Sequence, residues 1–278
     1  MWIGFMRIEE TRTLLASRLG CRPIVLTSLA LVLLCMVPAY AAPRYAWPGA
    51  PQSAETLAER FPPPDGFVRT PEKPGSFGEW LRGLPLKPAQ TPVLTHTGAP
   101  KWRQDVHLAV IDIDIGSRDL QQCADATMRL RGEWLFASGR PMEIAFNDTK
   151  GKPMRFADRA KRDYPAFRKY MDHVFAWAGT YSLEKELKPV DVADIAIGDV
   201  FIKGGFPGHA VLVTDIVVHP QTGEKRFLLT QSYMPAQDIH VLKNPNGQSG
   251  SPWYATDFGD TLVTPEWNFA RASLRRWK

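Results

Sequence analysis

The chain has 278 residues, of which 44% are hydrophobic and 23% charged, and a formal net charge of +5. That is enough chain to bury one large core. It has neither the basic run with interleaved aromatics nor the one-sided charge block that a nucleic-acid partner requires, so none is expected.

The first 41 residues read as a targeting segment. Arg7, Arg12, Arg18 and Arg22 precede an almost wholly apolar run from Ile24 to Val37, and Ala39-Tyr40-Ala41 forms an A-x-A cleavage signal before Ala42. The run is about 14 residues, short of the roughly 20 that a spanning helix needs. Leu34, before Cys35, is too large for a lipoprotein cleavage site. A signal peptide over residues 1–41 is expected, with a periplasmic or secreted protein and no stable membrane insertion after cleavage; an uncleaved anchor is the alternative. Cleavage removes four Arg and two Glu, which leaves a net charge of +3, and it removes Cys21 and Cys35. Cys123 is then the one remaining cysteine.

From Ala42 to about Pro100 the chain is rich in proline, including Pro62-Pro63-Pro64, and is broken by Gly66, Gly75, Gly83 and Gly98. Proline fixes φ and lacks an N–H, so an extended arm over residues 42–100 is expected to pack on a main domain over 101–278. A short helix fits Ser76 to Leu84, with Phe77, Trp80, Leu81 and Leu84 on one face after a Ser76 cap.

His107 to Ile115 alternates apolar residues with Asp112 and Asp114, the period of a half-buried strand. The two aspartates are expected on its solvated face; a metal site with His107 is the alternative, although no spacing here is diagnostic of one. Ser117 or Asp119 can cap a helix running to about Ala137, Asp119 and Gln122 having the form of a capping box. Cys123 then falls in its first turn, and Arg129 and Arg131 on its outer surface. A second helix is expected from Tyr164 to about Ala178. Strands follow at Asp199 to Ile202, His209 to Val218 and Arg226 to Tyr233, the last two joined by a turn at Pro220 to Gly223. The fold class is therefore α+β, with helices first and an antiparallel sheet after. The aromatic-rich end, with Trp253, Tyr254, Phe258, Trp267 and Phe269, is expected in the core.

A thiolate attacks carbonyls, and a helix N-terminus lowers a thiol pKa. Cys123 is thus a candidate nucleophile with a low pKa. A nucleophile needs a base, and the base an orienting partner. His209 opens a strand directly after Gly204-Gly-Phe-Pro-Gly208, where backbone and substrate can approach closely. Gln231 shares a face of the next strand with Phe227, Leu229 and Tyr233, so it can hold the imidazole tautomer. A small buried cysteine and a structural histidine are the plain alternatives.

The order of a cysteine at a helix start, then Gly198-Asp199-Val200-Phe201, then Gly208-His209-Ala-Val-Leu-Val, then a polar residue on the next strand, resembles the NlpC and CHAP groups of papain-like cell-wall cysteine hydrolases. The resemblance covers roughly Leu120 to Leu242. It implies a papain-like fold, with Cys123 as nucleophile, His209 as base and Gln231 as orienter. It also implies cleavage of amide bonds in cell-wall peptide or peptidoglycan, without cofactor or metal. Those groups have the form Asp-Cys-Ser-Gly at the nucleophile, whereas Gln122 precedes Cys123 here and Ala124-Asp125 follow. Most of Ser76 to Trp267 also resembles an exported bacterial family catalogued as a domain of unknown function. Leu84-Pro-Leu-Lys-Pro88, Asp119-Leu-Gln-Gln-Cys-Ala-Asp125 and Gln231-Ser-Tyr-Met-Pro-Ala-Gln237 carry that likeness. A non-catalytic envelope module that binds wall components is the second expectation.

Overall fold

The computed structural model describes residues 45–51, 54–247 and 250–278; the expected leader lies outside them. In chain order, turns and extended segments hold helix α1 (Leu57–Arg60), strand β1 (Val68–Arg69) and helix α2 (Phe77–Arg82). Then come β2 (His107–Val110), α3 (Cys123–Ala137), the small hairpin of β3 (Ala145–Asn147) and β4 (Pro153–Arg155), α4 (Tyr164–Trp177) and α5 (Thr180–Glu186). Strands dominate the remainder: β5 (Lys188–Pro189), β6 (Val200–Lys203), β7 (His209–Val218), β8 (Lys225–Gln231), β9 (His240–Leu242), β10 (Tyr254–Ala255), β11 (Thr261–Val263), β12 (Asn268–Ala270) and β13 (Leu274–Arg276).

The main sheet runs β2-β9-β8-β7-β6-β13-β5, with β1 added to β7 and β10 to β8, and every pairing in it is antiparallel. The molecule is α+β. At its centre, β7 reads as a nearly continuous apolar run because both of its faces are covered, and all its residues but Val218 are buried. Ala210, Leu212 and Val217 pack with Ala124, Ala126, Met128 and Leu130 of α3. Val211, Val213 and Ile216 face the other way, onto Phe227, Leu229, Leu262 and Phe269. Trp253, Tyr254 and Phe269 are buried, and Phe258 and Trp267 pack partly buried beside them.

The proline-rich stretch is woven into this core. Trp47, Leu57, Phe61, Phe67, Phe77, Trp80, Leu81 and Leu84 are buried in the cluster that α3 completes. Ser76 caps α2 by accepting the Glu79 N–H at 3.1 Å. Arg69 and Arg82 both reach the buried Asp215 of β7, at 2.8 and 2.6 Å.

Three expectations need correction. Helix α3 begins at Cys123, several residues after Ser117 and Asp119, because Asp119 is engaged elsewhere: its Oδ1 accepts the N–H of Ala236 at 2.6 Å and the side-chain amide of Gln122 at 3.0 Å. Arg129 is fully buried, not on the outer surface. Its guanidinium meets Glu133 at 2.7 Å, Gln121 at 2.9 Å and Asp114 at 2.9 Å, so the charge is compensated inside the protein. The strand from His107 ends at Val110, and Asp114 beyond it is exposed but paired with Arg129 and Arg168.

Candidate active site

Three segments converge at the N-terminal end of β7. Cys123 is the first residue of α3, and Asp125 at the third position accepts the Gln122 N–H at 3.0 Å, which fixes the helix entry. The thiol sits against the peptides on either side of His209. Its Sγ lies 4.0 Å from the Gly208 carbonyl oxygen, and the Ala210 N–H points to it. Gly208 has no room for a side chain, since a Cβ would run into Thr180 of α5 and the Lys203 carbonyl oxygen. The glycine loop is thereby pressed onto α5, with Thr180 Oγ1 donating to the Gly205 carbonyl at 3.2 Å.

His209 lies on the β7 face that carries Val211 and Val213. Its ring centroid is 4.9 Å from that of Tyr233, 5.5 Å from Trp267 and 5.8 Å from Phe269. Its Nε2 and the Gln231 Oε1 are 2.8 Å apart. The other contacts of Gln231 settle the proton. An amide oxygen can only accept, so Nε2 of His209 carries the hydrogen and Nδ1 keeps the lone pair. Gln231 Nε2 donates to Glu266 Oε2 at 2.7 Å and toward His240 Nε2 at 3.3 Å. His240 Nδ1 in turn donates to the Asp238 carbonyl at 2.8 Å. Glu266 Oε1 pairs with Lys101 Nζ at 2.8 Å, both side chains being buried, and that ammonium stands 4.8 Å from the Tyr233 ring centroid.

Burial governs the charges. It pushes the His209 imidazole down to about 4; the bond to Gln231 opposes this and the Lys101 charge adds to it. His240 is pushed down to about 3, again chiefly by burial. The Cys123 thiol is pushed up to about 12 by burial and then by the Asp125 carboxylate. The N–H groups of Ala124, Ala210 and Cys123 itself act in the opposite direction, as a helix N-terminus should, but are outweighed. This corrects the expected low-pKa thiolate: the resting pair is neutral thiol and neutral imidazole.

A cleft of about 420 Å³ opens beside the thiol, lined by Cys123, Asp125, Thr180, Phe206, Gly208 and Met234 among others. His209 is not in its wall. Sequence reasoning missed Glu266, Lys101 and His240. They come from separate segments, and no local period or spacing marks them; only the tertiary fold brings them to Gln231. Among the described residues, no group of three or more His, Cys, Asp and Glu side chains is placed to hold a metal ion. No described helix is long and apolar enough to cross a membrane.

A family model described as "Domain of unknown function (4846)" matches residues 57–164 and 153–276. No curated protein and no solved structure gives a significant match.

Proposed function

The chain belongs to that family, whose description names no activity, so we propose a function from the site itself: a cysteine hydrolase of papain-like type, exported through its leader, that cleaves amide bonds in cell-wall peptide. The observation that carries this is the 2.8 Å bond between Gln231 and His209, with the Cys123 thiol seated on the backbone peptides either side of residue 209 while the imidazole itself lies on the opposite face of β7. Because Nε2 carries the ring hydrogen, Nδ1 is the base. The imidazole faces away from α3, so the proton on Sγ is relayed to Nδ1 through a water as sulfur bonds to the substrate carbonyl carbon. The imidazolium returns it to the departing amine as the C–N bond breaks, leaving a thioester. Water then attacks the thioester with Nδ1 again taking the proton, which releases the acid and the thiol. Both groups start neutral, so proton transfer belongs to the attack, and no preformed ion pair is needed.

The test is incubation of purified protein with isolated peptidoglycan, followed by mass analysis of released fragments. Wild type should release peptide fragments, Cys123→Ala and His209→Ala none, and Gln231→Asn more than Gln231→Ala, because the asparagine amide can still accept from the imidazole. Equal release by wild type and Cys123→Ala would refute the proposal. One observation favours a second reading, a non-catalytic module that binds wall peptide or glycan: burial disfavours the charged forms of both Cys123 and His209. Binding to peptidoglycan without any release would support that reading.

A further inference from the structure

The cleft beside Cys123 has a one-sided charge. Asp119 and Asp125 line it and no lysine, arginine or histidine does, on a chain whose net charge is +5. The two carboxylates are not equivalent. Asp119 is engaged, its Oδ1 accepting from Ala236 and Gln122. Asp125 is 6% exposed, and only its Oδ2 is used, by the Gln122 N–H. Its Oδ1 is buried with no hydrogen-bond partner. A buried acceptor left unmade loses about 1–3 kcal/mol, so an unpaired oxygen on a residue of the cleft wall calls for a donor from the ligand. The rest of the wall is largely apolar, with Phe175, Phe206 and Met234, the last two exposed at its rim.

We propose that this cleft takes a primary alkylammonium group, its apolar stem along Phe206 and Met234 and its charge on Oδ1 of Asp125. The substrate class is then an amide whose carbonyl lies next to an amine-bearing aliphatic group. Ammonium and carboxylate compensate each other where water is excluded, and a buried carboxylate rejects anionic groups at the same position. Without a cation there, burial holds the Asp125 carboxyl well above the ordinary carboxylate range, so the arriving ammonium takes the place of a proton.

The assignment rests on Cys123 being the reacting thiol, but its test needs no turnover. The full chain is alkylated with 2-bromoethylamine, with its neutral counterpart 2-bromoethanol and with anionic 3-bromopropanoate, and the Cys123 adduct is quantified by peptide mass. Each rate is divided by that of glutathione with the same reagent. The corrected amine-to-alcohol ratio should exceed one by about tenfold, with the anion slowest. Asp125→Asn, which keeps an acceptor for the Gln122 N–H, should bring the ratio close to one, and Asp119→Asn should leave it unchanged. A wild-type ratio at or below one overturns the assignment, whether or not the variants fold. So does a ratio that survives Asp125→Asn, or failure of all three reagents to reach Cys123. A protein inactive on peptidoglycan can still show the preference and an active one can lack it, which keeps the two proposals separately testable.

Discussion

His209 and His240 are held neutral by burial, at about 4 and about 3 against an ordinary 6.5, and this has a consequence for stability. The unfolded chain takes up a proton on each as the pH falls through 6.5, whereas the folded chain does so only near its own lower value. More protons on the unfolded state means stability that rises with pH. The contribution of His209 is therefore complete above about pH 6.5 and is lost as the pH falls toward 4. Its slope is at most about 1.4 kcal/mol per pH unit. Other buried acids titrate in the same window, so the clean measurement is a difference. Denaturant unfolding of wild type and His209→Gln between pH 7 and 4.5 should give curves that converge as the pH falls, and parallel curves would mean an imidazole that charges normally. The identity of His209 and Gln231 as neighbours was legible in the strand pattern, because residues two apart share a face and adjacent strands in a hairpin pair. Their protonation was not, since it depends on Trp267, Phe269, Lys101 and Glu266, which arrive from elsewhere in the chain.

Helix α3 shows how far an element departs from its own periodicity when a neighbour compensates a charge. Residues Cys123 to Glu133 are buried almost throughout, including Arg129 and Glu133. A surface helix would leave those two in water; here Glu133 Oε1 also accepts from Tyr164 of α4 at 2.8 Å, and the pair locks α3 to α4. Arg129→Leu should destabilise the protein by about 3–5 kcal/mol, because Glu133 would be left buried and unpaired. The double variant with Glu133→Leu should recover much of that loss. Thermal and denaturant melts check both, and a single variant as stable as wild type would show that water reaches Glu133. The start of the helix was displaced for a related reason. Asp119 had the residue type of a cap but was taken by Ala236 of a distant loop, a competition that only the folded chain stages.

At the scale of the molecule, the N-terminal stretch and the sheet share one core. Leu57, Phe61, Phe77, Trp80, Leu81 and Leu84 are all buried there. At about 1.5–3 kcal/mol for each fully buried side chain, their joint loss of about 9–18 kcal/mol is as large as the whole 5–15 kcal/mol stability of a typical domain. A variant beginning at Lys101 should therefore show no cooperative melt by calorimetry and should be degraded rapidly by protease. A sharp transition close to that of the intact protein would make the stretch an appendage after all. Asp215→Ala is the milder probe. It removes the common partner of Arg69 and Arg82 and exposes no apolar surface, so it should cost about 3–5 kcal/mol.

The sequence by itself determined the α+β class, the central hairpin of β7 and β8, the Ser76-capped helix α2, and the placing of Cys123 in a first helical turn with His209 at a strand start. All of these rest on local periodicity, capping chemistry and turn residues, which act over a few residues and so are written in neighbouring positions. Tertiary structure alone decided that Arg129 is buried, that the thiol and imidazole are neutral, and that Gln231 is anchored by Glu266 and Lys101. Burial and charge compensation are set by groups far apart in the chain, and desolvation of a side chain is a property of the finished packing.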